Sequence, residues 1–167
     1  MSRLSVVSML LFGLQATSGQ ASEADVHASL LQALTCAVSP LDVVQELSAA
    51  GNRRASEGFV GYEFGEEMDS VYGVALTGSL QLAGASTSNV VASLAVPYEG
   101  FGAYVHARFD GDFQAAVKQL KLVKSKDKGD YQRAMPALDA DDVCPLTIEL
   151  KPLEDGQFLL GCGWCNG

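Results

Sequence analysis

The chain has 167 residues, 48% of them apolar, with twenty Asp+Glu against eleven Lys+Arg and a formal net charge of −9. That length and apolar content suffice for one hydrophobic core and exclude a disordered or fibrous composition. The acidic balance excludes a general nucleic-acid binder, which phosphates would repel, and suits either a basic partner or plain solubility.

Residues 1–21 read as a cleavable signal peptide. Arg3 supplies the positive charge, Leu4 to Leu14 (LSVVSMLLFGL) form a largely apolar run, and small or polar residues (QATSGQA) follow. The run is too short for a stop-transfer helix, and Gly19 and Ala21 give the small-x-small pattern cleaved by signal peptidase, so cleavage is expected after Ala21. No basic cluster flanks the run, and the first cysteine, Cys36, lies too far on to be lipidated at the cleavage point. The expected mature product is a single α+β domain over 22–167, periplasmic or secreted, with no stable membrane anchor. Loss of Arg3 leaves it ten Lys+Arg against the same twenty acids.

Ser22, with Asp25 three residues on, predicts an N-cap, and Val26, Leu30, Ala33, Leu34 and Ala37 follow at helical spacing. Ser39-Pro40 predicts the cap and first turn of a second helix, LDVVQELSAA, ended by Gly51. Arg53 to Glu67 shows no clear period and is expected to be irregular. From Ser70 the pattern changes to short β-prone runs, SVYGVAL, SLQLAG, NVVASLAV and FGAYVHARF. They are parted by Thr77-Gly78, by the Ser/Thr/Asn cluster 86–89 and by Pro97 to Gly100, which predicts an antiparallel meander. Asp110 is the expected cap of a third helix, GDFQAAVKQLKL, with Phe113, Ala116, Val117 and Leu120 facing inward. The lysine-rich stretch 121–130 then reads as a charged, mobile connector. Pro145 to Pro152 and Gln157 to Trp164 form two strand-like runs around the turn residues LEDG and predict a C-terminal hairpin. The order predicts an α+β fold: an antiparallel sheet with helices on one face, stabilised by disulfides.

Cys36, Cys144, Cys162 and Cys165 all survive signal cleavage, and an even count in an exported domain predicts two structural bridges. A four-residue hairpin loop sets Pro152 opposite Gln157 and, counting outward, Cys144 opposite Cys165, which leaves Cys36 for Cys162. Alternatively, the glycines of the tail let Cys162 close on Cys165 and leave Cys36 for Cys144. Cys162 and Cys165 also have the C-x-x-C spacing of thiol oxidoreductases and zinc sites. A reactive C-x-x-C opens a helix, however, whereas this one ends a strand-like run followed by Asn166 and Gly167. A zinc site would need Cys36 and Cys144 as well, in a compartment that oxidises thiols, and neither metal nor another cofactor is expected. Asn166 also stands where C-x-x-C-H haem attachment requires histidine.

The two histidines, His27 beside the apolar stripe of the first helix and His106 on the polar side of FGAYVHARF, lack partners at metal-ligand spacing. Surface or half-buried structural roles are expected, His106 being exposed. A calcium loop from Asp139 fails at Val143 and Leu150, which replace oxygen ligands, and no glycine-rich phosphate loop occurs. Two features point outward: PYEGFGAY, with Tyr98, Phe101 and Tyr104 among glycines, and the acidic cluster Glu63, Glu66, Glu67 and Asp69. Aromatics beside carboxylates suit a basic protein partner. With no catalytic motif identified, the expected function is an exported protein-binding domain, such as an inhibitor or immunity protein against a basic envelope-degrading enzyme. The alternative is a thiol-disulfide oxidoreductase using Cys162 and Cys165.

Overall fold

A computed structural model describes residues 22–65, 70–93, 101–126, 129–136 and 146–165, with backbone alone at 101–104, 164 and 165. Its centre is an antiparallel sheet of eight strands in the order β1-β2-β3-β4-β8-β7-β6-β5. The strands are β1 (Phe59–Phe64), β2 (Val71–Leu82), β3 (Ala85–Ser93), β4 (Phe101–Asp110), β5 (Val123–Lys124), β6 (Tyr131–Ala134), β7 (Thr147–Pro152) and β8 (Gln157–Cys165). Helices α1 (Glu23–Leu34) and α2 (Pro40–Ala49) precede it, a 3-10 segment (Gly51–Glu57) leads into β1, and α3 (Phe113–Leu120) follows β4.

Helices α1 and α2 start where the sequence predicts, after Ser22 and Ser39. Ser22 and Asp25 bond each other's backbone in a full capping box, which also holds the Asp25 carboxyl below its ordinary value. Val26, Leu30, Ala33 and Leu34 form the buried stripe of α1, and α2 buries Val44 and Leu47. One face of the sheet meets these stripes. Val74, Val90, Val105, Phe109, Ile148, Leu150, Phe158 and Leu160 are all less than 1% exposed, and alternation along each strand sets them on that face. Phe109 stacks on Phe158 across β4 and β8, and Phe113 of α3 packs against Tyr131 of β6 on the same side. The helices therefore cover one face of the antiparallel sheet, as expected for this α+β fold.

Several local expectations are corrected. Arg53 to Glu67, expected to be irregular, contains the 3-10 segment and all of β1. In that strand Val60, Tyr62 and Phe64 alternate, a two-residue period masked by the apolar Phe59 between glycines. SVYGVAL and SLQLAG are one strand, because Thr77-Gly78 makes a bulge rather than a turn: residues 76–79 of β2 span the same stretch as residue 88 of β3. The reversal falls at Ala83 (φ 52) and Gly84 (φ 82), and the cluster 86–89 lies inside β3. Asp110 ends β4, and the cap of α3 is Asp112, whose carboxylate accepts from Gln114 N–H at 2.9 Å. The lysine-rich connector contains β5, whose Lys124 pairs with Tyr131 of β6; residues 127 and 128 lie outside the described residues.

The C-terminal hairpin forms with its register one residue away from expectation. Leu153 N–H donates to Gln157 O at 2.8 Å, so the loop is residues 154–156 and Pro152 faces Phe158. The counting that set Cys144 opposite Cys165 no longer applies, and Cys144 lies outside the described residues. A disulfide joins Cys36 to Cys162. It overturns the pairing of Cys162 with Cys165 and bears out the other assignment for these two residues.

Candidate functional site

The face of the sheet opposite the helices carries no element among the described residues. Strand registers arrange it in rows. One row runs through all eight strands: Tyr62, Gly73, Val91, His106, Gly161, Glu149, Gln132 and Val123. On one side lie Phe64, Val71 and Ser93; on the other lie Val60, Ala75 and Asn89. An antiparallel sheet with one open face normally alternates to polar there. Here Val60, Tyr62, Val71, Ala75, Val91 and Leu159 are half-buried, and Phe64 is 60% exposed.

Glycine shapes the aromatic part of this face. A Cβ on Gly73 would fall 2.0 Å from Tyr62 Cζ, so the ring occupies the space that a side chain would take. Lying there, Tyr62 reaches β3 and donates its hydroxyl to Asn89 Oδ1 at 2.9 Å. Phe64 stacks beside it with centroids 6.2 Å apart and planes 5° apart. On the opposite face of β1, a Cβ on Gly61 would fall 2.3 Å from Leu47 O, so this glycine lets the end of α2 lie against the strand.

Farther along, a shallow groove of about 230 Å³ opens where the β3–β4 register shifts between Ser86 and Val91, with Asn89, His106, Arg108, Asp110 and Leu159 among its lining. Arg108 donates to Gln157 Oε1 and Gln157 Nε2 donates to Asp110 Oδ1, a chain that holds these side chains along the sheet. His106 is half-buried rather than exposed, and burial pushes its imidazole below the ordinary value. Its cross-strand neighbours are Val91 of β3 and Gly161 of β8. His27 is half-buried in α1, with Nε2 3.8 Å from Glu23.

Three of the expected binding residues, Glu63, Phe101 and Tyr104, are described, and they fall at one end of the sheet. The register carries Phe64 to Val71, Ser93, Tyr104, Gly163 and Thr147 in succession. The end of β1 and the start of β4 are thus three strand spacings apart, about 14 Å. Glu63 is exposed on β1, and Phe101 and Tyr104 are in β4 by their backbone. Tyr98, Glu66, Glu67 and Asp69 lie outside the described residues. In sequence, 63–70, 93–104 and 134–147 hold eight carboxylates and no Lys or Arg, and of these carboxylates Glu63 alone is among the described residues. Sequence reasoning missed Tyr62, Phe64 and Asn89; the alternation of Val60, Tyr62 and Phe64 was the available signal.

Cys162 is buried and bonded to Cys36, and β8 is a strand through Cys165. Residues three apart on an extended strand have Cα atoms about 10 Å apart, beyond the roughly 7 Å that a disulfide can bridge. No described group of three His, Cys, Asp or Glu side chains is gathered to hold a metal, and no described helix is long and apolar enough to cross a membrane. No family model, curated protein or solved structure matches the chain.

Proposed function

We propose that the mature chain is an exported protein-binding domain, an inhibitor or immunity protein directed at a basic envelope-degrading enzyme. The observation that carries this reading is Phe64, 60% exposed and stacked on Tyr62 on the uncovered sheet face. Large exposed aromatics are what interfaces bury. Glu63 is exposed beside them on β1, and the chain carries a net charge of −9, so a cationic surface is the complementary one. The disulfide between Cys36 and Cys162 suits an oxidising compartment. The thiol oxidoreductase reading draws no support from this geometry, since Cys162 is bonded to Cys36 rather than to Cys165.

Affinity capture from envelope extract with the mature, oxidised protein tests the proposal. The expected result is a stoichiometric protein of basic isoelectric point, released by salt of about 0.5 M and no longer retained by Phe64→Asp. Absence of a stoichiometric partner overturns it.

A further inference from the structure

We propose that the groove between β3 and β4 binds the ring of a neutral sugar, either free or as the terminal unit of a glycan. Strand register creates the groove. Between the pairs Ser86–Asp110 and Val91–His106, residues 87–90 of β3 lie against residues 107–109 of β4, so β3 carries an extra residue and the ladder is broken there. β2 bulges at the same place, where its residues 76–79 span residue 88 of β3. Thr87, 5% exposed, holds the displaced backbone by donating its hydroxyl to Asn89 O at 3.1 Å. Bulges of this kind re-aim side chains and recur beside active sites. Sugar binding here neither requires nor excludes a protein partner at Phe64.

Asn89, Arg108 and Asp110 line the groove, all three exposed, and each is held by a neighbour. Asn89 Oδ1 accepts from the Tyr62 hydroxyl at 2.9 Å, which orients the amide and leaves its Nδ2 hydrogens as donors. Arg108 donates from Nε and Nη2 to Gln157 Oε1, and Gln157 Nε2 donates to Asp110 Oδ1. The guanidinium and the carboxylate have more bonding positions than these, so both keep capacity for a ligand. Groups fixed before the ligand arrives lose little freedom when it binds. Val91 and Leu159, both half-buried, give the same groove an apolar part. Its lining carries one cation, Arg108, and one anion, Asp110, while burial keeps His106 uncharged at neutral pH. A ligand of either net charge therefore meets repulsion as well as attraction. A neutral sugar ring has the matching chemistry: its hydroxyls both donate and accept, answering amide, guanidinium and carboxylate in turn, and its C–H face covers Val91 and Leu159. The groove, about 230 Å³, is smaller than the roughly 300–1,000 Å³ of pockets that enclose drug-sized ligands, which matches a single ring.

The test titrates the oxidised mature protein, isotopically labelled, with glucose, galactose, mannose and N-acetylglucosamine, each as the free sugar and as the terminal unit of a short oligosaccharide. Glucuronate, glucosamine and glycine serve as anionic, cationic and zwitterionic comparators. At least one neutral sugar should shift the amide resonances of Ser88, Asn89, Arg108 and Asp110 saturably while those of α3 stay in place. The expected Kd is on the order of 1 mM, as a shallow site with few polar contacts gives. Binding of the oligosaccharide makes the ligand a glycan terminus, and binding of the free form alone makes it a free sugar. Asn89→Ala and Arg108→Gln should each weaken binding about tenfold, and Tyr62→Phe, which keeps the ring but releases the amide, by about threefold. Both Asn89 and Arg108 are exposed, and circular dichroism with the thermal midpoint reports that the variants fold. The absence of any shift with every neutral sugar overturns the proposal, as does binding that Asn89→Ala and Arg108→Gln leave unchanged. Tighter binding of glucuronate, glucosamine or glycine than of any neutral sugar also overturns it and makes the groove a site for a charged ligand.

Discussion

Gly61 and Gly73 sit on opposite faces of the β1–β2 pair, and each is covered by something a side chain would displace. At Gly61 the obstacle is backbone, with Leu47 O and Ser48 O 2.3 and 2.4 Å from an added Cβ. At Gly73 it is the Tyr62 ring, which can rotate away. Gly61→Ala is therefore expected to lower stability by about 1–3 kcal/mol, and Gly73→Ala by less, chiefly through loss of the Tyr62–Asn89 hydrogen bond. Urea unfolding of the two variants checks the order. At the same scale, His106 titrates below its ordinary value of 6.5 because burial disfavours the imidazolium. The unfolded chain then binds the proton first as pH falls, so this contribution to stability is complete above the ordinary value and is lost as pH drops from there through the folded value. Glu149 across Gly161 and Arg108 two residues along β4 are the described charged groups nearest in the rows. The expected outcome is a urea midpoint that declines below about pH 6.5, with a shallower decline in His106→Gln, which keeps polarity without ionising there.

At the scale of elements, α1 depends on a cap that the sequence announces. Ser22 and Asp25 satisfy the first turn reciprocally, so Ser22→Ala should cost about 1 kcal/mol. The loss should appear as a lower midpoint with an unchanged denaturant slope. The hairpin shows where such local reading stops. Turn composition locates a reversal near LEDG, yet whether three or four residues make it depends on which register buries Phe158 and Leu160 beside Leu150. One residue of slip turns every inward side chain outward, so the core chooses the register. The same competition explains β2. Thr77-Gly78 reads as a turn by itself, but Gly58, just before β1, accepts from Thr77 N–H and holds the segment in the sheet as a bulge.

For the whole molecule, the Cys36–Cys162 disulfide ties the end of α1 to a central strand across a sequence separation of 126. Closing so long a loop in the unfolded chain is worth about 5 kcal/mol by chain entropy. Cys36→Ala with Cys162→Ala should lose much of that, and a thermal melt against the oxidised protein measures it. Since both sulfurs are buried, the native bridge should also resist mild reductant, which alkylation and mass spectrometry report directly.

Sequence alone determined the N-cap of α1 and the start of α2, the inward stripes of α1 as far as Leu34 and of α3, the strand-rich middle, the C-terminal hairpin and hence the α+β class, because each follows from contacts within a few residues or from a period; Ala37, expected on the first stripe, lies past the end of α1 and is exposed. It also placed Glu63, Phe101 and Tyr104 among the candidates by residue type. Tertiary structure alone decided that Glu63 and the start of β4 belong to one sheet end, that Tyr62 lies over Gly73 to meet Asn89, and that Cys36 takes Cys162. Those facts concern residues far apart in sequence. Their separation is set by strand order and register, which the burial of one face selects only when all eight strands are present together.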